Sequence, residues 1–473
     1  MRKTKIICTI GPASRAPEIL RQMIAAGMDV ARLNLSHDNL GVHTENVSGI
    51  RAASEEMDRP VAILIDLQGP KLRVGQMQAG GVELIDGQSV TLTTRGIVGE
   101  SPDALPVQFA DLPQVVQPGD RILIDDGMIE LQVLSTAAAE VSCLVVDGGI
   151  LQTNKGMNLP RTPPGISSIT PKDRTDLEWA IQQQVDWVAL SFVRTADDVR
   201  RLKTLIRDLT PPDQPIIPVM AKIEKPQALE NIDAIVAEAD AMMVARGDLG
   251  VEIPAEEVPM AQKRIIRACN AAGMPVVTAT QMLDSMIRNP RPTRAEVSDV
   301  ANAILDGTDA IMLSGETSIG SFPVRVIGTM DRIAREVEGH RIGLDFISLQ
   351  DAPTIANAVT RAAREIAHDV NATAIITPTT SGYTARLMSA YRPQSPIIAT
   401  TADAIVQRQL MLYWGVTPLF APRASFTDEM IAQAIRVVRD KSLVQIGDTV
   451  VITAGASGSA PGTTNLVQVV VVG

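Results

Sequence analysis

Lys222 and Glu224 stand in an otherwise apolar run, Val219-Met220-Ala221-Lys222-Ile223-Glu224, that reads as a β-strand. Side chains alternate along a strand, so the lysine and the carboxylate share one side. Burying either charge without a partner would cost several kcal/mol, roughly. An ion pair satisfies that cost, but a third charge changes the chemistry. Asp248 follows the next apolar run directly, within Ala245-Arg246-Gly247-Asp248-Leu249-Gly250. Two carboxylates from adjacent strand ends suit a hard cation that keeps waters and shares substrate oxygens, which means Mg²⁺ or Mn²⁺. The four histidines of the chain lie away from these strand ends, which disfavours zinc. The glycines beside Asp248 allow close backbone approach to an anion, and a helix starting there offers free N–H groups. A metal, an anion site and a buried lysine together serve phosphoryl transfer or enolate chemistry on a keto acid. The residues alone leave both open.

The elements that must position these groups alternate between short β-rich runs and amphipathic helices, the pattern of a parallel sheet wrapped by helices. Eight candidate strands are Lys5–Ile10, Val30–Leu35, Val61–Leu67, Trp187–Phe192, Pro218–Ile223, Ala241–Ala245, Pro275–Thr280 and Ala310–Ser314. Eight strands close a TIM (β/α)8 barrel, whose catalytic groups gather at the C-terminal strand ends. Those ends are polar here: Arg32, Asn34 and Ser36; Asp66; Lys222 and Glu224; Arg246, Gly247 and Asp248; Thr280 and Gln281. Roughly a hundred residues separate the third and fourth strands, far beyond an ordinary βα loop. That stretch, residues 70–163, carries turn signals such as Asp86-Gly87 and Asp126-Gly127 and β-branched runs such as Arg121–Ile124. It is expected to be an inserted all-β lid domain over the catalytic face. The barrel then comprises residues 1–69 and 164–338. Residues 339–473 are expected to form an open α/β domain with helices at Thr354–Ala367, Thr384–Tyr391, Ala402–Leu412 and Thr427–Lys441. Its strands are expected at Ala372–Ile376, Pro396–Thr400, Thr449–Thr453 and Leu466–Val472.

Composition narrows the class. Of 473 residues, 45% are hydrophobic and 21% charged, as in a soluble globular protein. The net charge of −11 argues against general nucleic-acid binding while leaving room for a local cationic site. No apolar run is long enough to cross a bilayer. The apolar stretch behind the basic N-terminus is broken at Gly11-Pro12, so no targeting segment is read. Cys8, Cys143 and Cys269 lie far apart without CxxC spacing, as expected of small buried hydrophobes in a reducing, cytoplasmic compartment.

Several longer motifs carry a resemblance. Thr9-Ile10-Gly11-Pro12-Ala13-Ser14, Ala31-Arg32-Leu33-Asn34-Leu35-Ser36-His37, Ala245-Arg246-Gly247-Asp248-Leu249-Gly250-Val251-Glu252, Ala279-Thr280-Gln281-Met282-Leu283 and Met312-Leu313-Ser314-Gly315-Glu316-Thr317 resemble pyruvate kinase in order and along the chain. The resemblance implies transfer of phosphate from phosphoenolpyruvate to ADP, giving pyruvate and ATP. It implies that Glu224 and Asp248 hold Mg²⁺, that Lys222 stabilises the transferring phosphoryl group, and that Arg32 grips the phosphate. Gly247 and Asp248 amides with Thr280 would hold the substrate carboxylate, with Thr280 helping to protonate the enolate. Asn34, His37, Arg73 and Lys155 would face the nucleotide. A metal-dependent aldolase or carbon–carbon lyase shares the carboxylates and the arginine, but gives no reason for the lid or Lys155.

One motif departs from the family. Many members hold K⁺ with residues matching Asn34, Ser36 and Asp66 and a nearby glutamate, in the motif Asp-Thr-Lys-Gly-Pro-Glu. Here the motif is Asp66-Leu67-Gln68-Gly69-Pro70-Lys71. An ammonium at Lys71 would supply the ion's charge and repel a second cation, so activity without K⁺ is expected. Asp38, where the family often has glycine, suggests no consequence. In the C-terminal domain, Thr379, Thr380, Ser381, Gly382 and Thr384 cluster hydroxyls and glycine at a helix start, a phosphate nest. The resemblance implies a sugar-phosphate or nucleotide effector there, with residues 454–462 as a flap, and a homotetramer.

Overall fold

The computed structural model describes residues 1–160, 167–340, 354–455 and 462–473. Eight parallel strands close a barrel: β1 (Lys5–Thr9), β2 (Val30–Asn34), β3 (Ala62–Asp66), β4 (Trp187–Leu190), β5 (Val219–Ile223), β6 (Ala241–Ala245), β7 (Val276–Ala279) and β8 (Ala310–Leu313). Each pairs with its sequence neighbours, and β8 closes on β1 with Lys5 opposite Ala310. The expected strands are all present, each within two residues of its expected ends. Their outward side chains and the surrounding helices form one buried apolar layer. Threonine caps begin two of those helices, Pro171–Gln182 and Arg294–Leu305, through reciprocal capping boxes with Asp173 and Glu296.

The inward side chains form a second core that does not stop at the barrel. Ile7, Leu64, Trp187 and Met220 belong to the same buried cluster as Ala363 and Tyr413 of the C-terminal domain. That domain is a five-stranded sheet in the order Val416–Phe420, Ile397–Thr401, Ala374–Pro378, Thr449–Ala454, Leu466–Val471, with the last strand antiparallel. The strand Val416–Phe420 was not among the sequence expectations. The expected helix Ala402–Leu412 is correspondingly shorter, Ala404–Gln409 followed by a 3₁₀ turn at Leu410–Leu412.

Between β3 and the helix Pro171–Gln182 lies the inserted β-domain, with its own core of Val90, Leu92, Ile122, Leu131, Val141 and Cys143 among others. Its main sheet pairs Arg121–Ile124, Ile129–Thr136 and Glu140–Asp147 as an antiparallel meander. The glycines at its expected turns, such as Gly87 and Gly127, have φ of +78° and +83°. Cys8, Cys143 and Cys269 are free and buried. No helix among the described residues is long and apolar enough to cross a membrane.

The base of the barrel repeats one device four times. Asp29, Asp186, Asp240 and Asp309 directly precede β2, β4, β6 and β8. Each carboxylate accepts the backbone N–H of the strand before it: Ile6 at 2.8 Å, Ile63 at 2.7 Å, Val219 at 2.9 Å and Val276 at 2.9 Å. Each also meets a cation, Arg2 for Asp29, Arg51 and Arg408 for Asp186, Lys203 for Asp240, and Arg392 for Asp309. Arg392 and Arg408 come from the C-terminal domain and tie it to the barrel.

Candidate active site

The opposite, C-terminal end of the barrel collects the charged groups. Alternation turns Thr9, Arg32, Asp66 and Lys222 inward, and all four are buried. Lys222 Nζ lies 2.7 Å from Glu224 Oε1 and 3.3 Å from Asp66 Oδ1, and it donates to Ser191 Oγ at 2.8 Å. Arg32 meets Asp66 Oδ2 through Nε at 2.9 Å and Nη2 at 2.6 Å, and reaches Thr9 Oγ1 at 3.0 Å. Burial alone would push Lys222 down, but the carboxylates of Asp66, Glu224 and Asp248 outweigh it and keep the ammonium charged. Burial would likewise raise Asp66, yet Lys222 and Arg32 hold it below the usual carboxylate range.

Glu224 is different. Burial pushes it up to about 7, with the Asp248 charge adding to the shift and Lys222 opposing it. Its Oε2 accepts the Phe192 N–H at 2.7 Å. Its Oε1 has no aligned hydrogen-bond donor, although the Lys222 ammonium is close. Asp248 stands exposed in the first turn of the short helix Arg246–Glu252. A buried carboxylate oxygen without an aligned donor and an exposed carboxylate beside it fit a hard cation that completes its shell with water and substrate oxygens. No cluster of three or more His, Cys, Asp or Glu able to hold a metal occurs among the described residues.

The backbone around these groups is held in unusual conformations. Thr280 and Gln281, just past β7, have φ of +76° and +54°, a left-handed state that costs a β-branched residue about 1–3 kcal/mol. Arg246 braces the strained turn: its guanidinium donates to Thr280 O at 2.8 Å and Ala279 O at 3.2 Å and pairs with Asp299 at 2.7 Å. Arg246, read from the sequence as one of the converging polar strand ends, is therefore turned to support Thr280. Gly247 is glycine for a local reason, since a Cβ there would lie 2.8 Å from Thr280 Cγ2. Phe192 also has positive φ, +56°, and aims its N–H at Glu224. Asp38 occupies the left-handed region as well, φ +59°, a conformation that glycine takes without strain and aspartate tolerates.

The lid is anchored at both crossings. At the first, a Cβ on Gly69 would strike the Phe192 ring at 2.7 Å. At the second, Asn158 Nδ2 donates to Glu252 Oε1 at 2.8 Å, and the same oxygen lies 2.5 Å from Lys225 Nζ. Glu252 ends the helix that carries Gly247 and Asp248, so the lid is registered against that helix. Thr9, Ser191, Phe192, Lys225 and Glu252 carried no sequence-based role at this site. For Ser191 a signal existed, since alternation from Ala189 turns it inward.

The remaining predicted groups divide. His37 is exposed in the bend that follows β2; partial desolvation lowers its pKa, and the Lys71, Arg32 and Arg73 charges lower it further. Lys71 and Arg73 thus bear on the same edge of the site as Asn34, whose Oδ1 accepts the Ser36 N–H at 3.2 Å. Lys71 itself is exposed. Lys155 stays within the lid, paired with Asp125 at 2.9 Å, and Arg73 Nη1 donates to Asn154 O at 2.8 Å. Far away, Gly382 with φ +78° opens the helix Tyr383–Ala390, and the Thr384 and Thr464 hydroxyls lie 2.8 Å apart. Thr379 N–H is taken by Thr400 O at 2.9 Å, which leaves Thr380 and Ser381 at the turn. Of the expected flap, residues 456–461 lie outside the described residues.

A closed (β/α)8 barrel with a lid and a buried lysine–carboxylate cluster at its mouth defines a phosphotransferase when set beside known proteins. Residues 1–327 match the family model "Pyruvate kinase, barrel domain" and residues 357–470 match "Pyruvate kinase, alpha/beta domain". The chain is 47% identical over its whole length to a pyruvate kinase of Bacillus licheniformis, covering 81% of that protein. It is 46% identical to one from Geobacillus stearothermophilus, covering 80% of it. A crystal structure of a pyruvate kinase from Cryptosporidium parvum superposes with a TM-score of 0.93 at 39% identity, covering 99% of this chain and 96% of that one. The chain belongs to the pyruvate kinase family.

Proposed function

We propose that the chain transfers the phosphoryl group of phosphoenolpyruvate to ADP, giving pyruvate and ATP, with Mg²⁺ or Mn²⁺ held by Glu224 and Asp248. The observation that carries this reading is Lys222, charged and buried between Asp66 and Glu224 at a strand end, in a chain matched along its length by this family. The cation, when bound, supplies positive charge beside the substrate's phosphate and enolate oxygens. Lys222 stabilises the charge that spreads over the phosphoryl oxygens as the group moves. Arg32, fixed by Asp66, grips the phosphate in a planar fork. The Gly247 and Asp248 amides and the Thr280 hydroxyl receive the substrate carboxylate, and Thr280 Oγ1 relays the proton that converts enolate to pyruvate. Asn34, His37, Arg73 and Lys155 face the nucleotide. The cleft lined by Lys71, Asn158 and Asp248 encloses about 70 Å³, too little for a nucleotide, so the lid opens to admit one.

Three finer readings accompany this. Lys71 substitutes for the monovalent cation of the Asn34, Ser36 and Asp66 site; its field at His37 supports a position on that edge. The Thr379, Thr380, Ser381, Gly382 and Thr384 turn takes the phosphate of a sugar-phosphate or nucleotide activator. The protein works as a cytoplasmic homotetramer with domains 1–69 plus 164–338, 70–163 and 339–473. A pyruvate-coupled assay tests the set. ADP-dependent pyruvate formation that needs Mg²⁺ is expected, and its absence overturns the main reading. Equal rates in tetramethylammonium and K⁺ buffers are expected, whereas a strong K⁺ requirement would refute the role of Lys71. Sugar phosphates and AMP at sub-saturating phosphoenolpyruvate are expected to raise the rate, and no response to any of them removes the effector reading.

A further inference from the structure

The four aspartates at the barrel base are not equally closed. The side chains of Asp29, Asp186 and Asp309 are at most 7% exposed, while that of Asp240 is 34% exposed. The C-terminal domain sends Arg408 to Asp186 and Arg392 to Asp309, whereas among the described residues Asp29 and Asp240 are paired only from the barrel, by Arg2 at 2.8 Å and by Lys203 at 3.0 Å. Beside Asp240 the two domains leave a cavity of about 320 Å³. This volume is at the lower end of small-molecule sites, which favour domain seams.

The cavity has two kinds of wall. Ile216, Ile217, Pro218, Val406 and Leu410 make one side apolar, and Ile216 is 49% exposed into solvent. Lys203 and Arg207 from the helix Ala196–Leu209, with Arg386 from the C-terminal domain, face it with positive charge. Against them stands Asp240 alone, so a chain of net charge −11 lines this cavity with a surplus of two positive charges. Neither Arg207 nor Arg386 meets a carboxylate among the described residues, although Arg386 bonds to the Tyr413 side chain. Two guanidinium groups without carboxylates beside a small apolar wall are matched by an anion that carries an apolar body.

The cavity shares Ser381 and Gly382 with the turn proposed to take an effector phosphate, but Thr379, Thr380 and Thr384 do not line it. Thr384 turns its hydroxyl to Thr464, on the side of the last strands. Gly382 presents its bare Cα to the cavity side, where a Cβ would lie 3.3 and 3.4 Å from Leu410 and Val406. We propose that this seam cavity binds a small organic dianion, a doubly charged phosphate or carboxylate head on an apolar body, held between Arg207 and Arg386. Because both domains line it, its occupant ties the C-terminal sheet to the barrel at the more open of the two quadrants of the base that no arginine of that domain closes.

The test uses phenyl phosphate as the probe, titrated calorimetrically into the full chain in EDTA so that the cation-dependent site is silent. Saturable binding at one site per chain is expected, with inorganic phosphate at least about tenfold weaker because it lacks the apolar body. Arg207 is exposed, so R207E leaves the fold intact, and it is expected to weaken phenyl phosphate about tenfold or more. T384V, on the far side of the turn, is expected to leave binding within about twofold. Absence of saturation up to about 10 mM, binding indifferent to R207E, or equal losses in R207E and T384V each overturn the proposal. None of these outcomes depends on phosphoryl transfer, so the proposal stands or falls apart from the catalytic reading.

Discussion

At the base of the barrel, each aspartate has both a backbone N–H and a cation, arranged alike in four quadrants. At the mouth, Glu224 keeps an oxygen without an aligned donor, Asp248 stands exposed, and Thr280 and Phe192 hold left-handed backbone. Both ends are rich in charge, so charge alone does not mark a site. What differs is completion. At the base every clamping carboxylate has its partners, even though Arg392 Nη1 does not, and charge fixes geometry; at the mouth it is a carboxylate that is left short, and it is available to a cation.

This contrast can be broken most directly at Lys222. Lys222→Met is expected to lower kcat by about a thousandfold or more while leaving the circular dichroism spectrum unchanged. A loss under tenfold in the coupled assay would remove Lys222 from the chemistry. The complementary change at the base is Asp186→Ala, which leaves Arg51 and Arg408 without their shared carboxylate. It is expected to cost about 3–5 kcal/mol of stability while KM for phosphoenolpyruvate stays within about twofold. An unchanged thermal midpoint would show that the base is not a structural clamp.

Smaller effects sharpen the comparison at the mouth. Gly247→Ala forces a Cβ against Thr280, so KM for phosphoenolpyruvate is expected to rise about tenfold through displacement of the turn. Kinetics indistinguishable from the parent would show that the contact relaxes freely. The pH dependence follows from Glu224, whose raised pKa near 7 leaves it protonated below that value. A proton there competes with the cation, so affinity for Mg²⁺ is retained above pH 7 and lost as pH falls through it, by up to about tenfold per unit. An apparent Mg²⁺ constant that is flat between pH 8 and 6 would exclude Glu224 as a ligand.

Much of this arrangement was legible because barrel strands have a strict two-residue period. Lys222, Asp66 and Arg32 could be placed on one inner surface from alternation alone, and the strand ends followed from apolar runs. The strand Val416–Phe420 escaped notice because Pro418 and Thr417 interrupt its apolar pattern. Arg246 was misread because adjacency to a strand end fixes where a backbone is, not where a long side chain turns. The left-handed residues at Thr280 and Phe192 have no signature, since neither is a residue that favours that conformation. The four aspartates escaped because each alone looks like a loop residue before a strand. Only the closed barrel shows that they are equivalent.

That equivalence has a consequence for how the chain is made. Three of the clamps join residues 23, 21 and 33 positions apart, but Ile63 and Asp186 are 123 apart because the lid is inserted between them. On a ribosome adding about 5–20 residues per second, the second quarter waits several seconds longer for its aspartate than any other. During that interval β3 has an open edge beside a finished β1–β2 pair. The lid, with a core of its own, can complete its folding inside that pause, before the strand that closes over its insertion point has been synthesised.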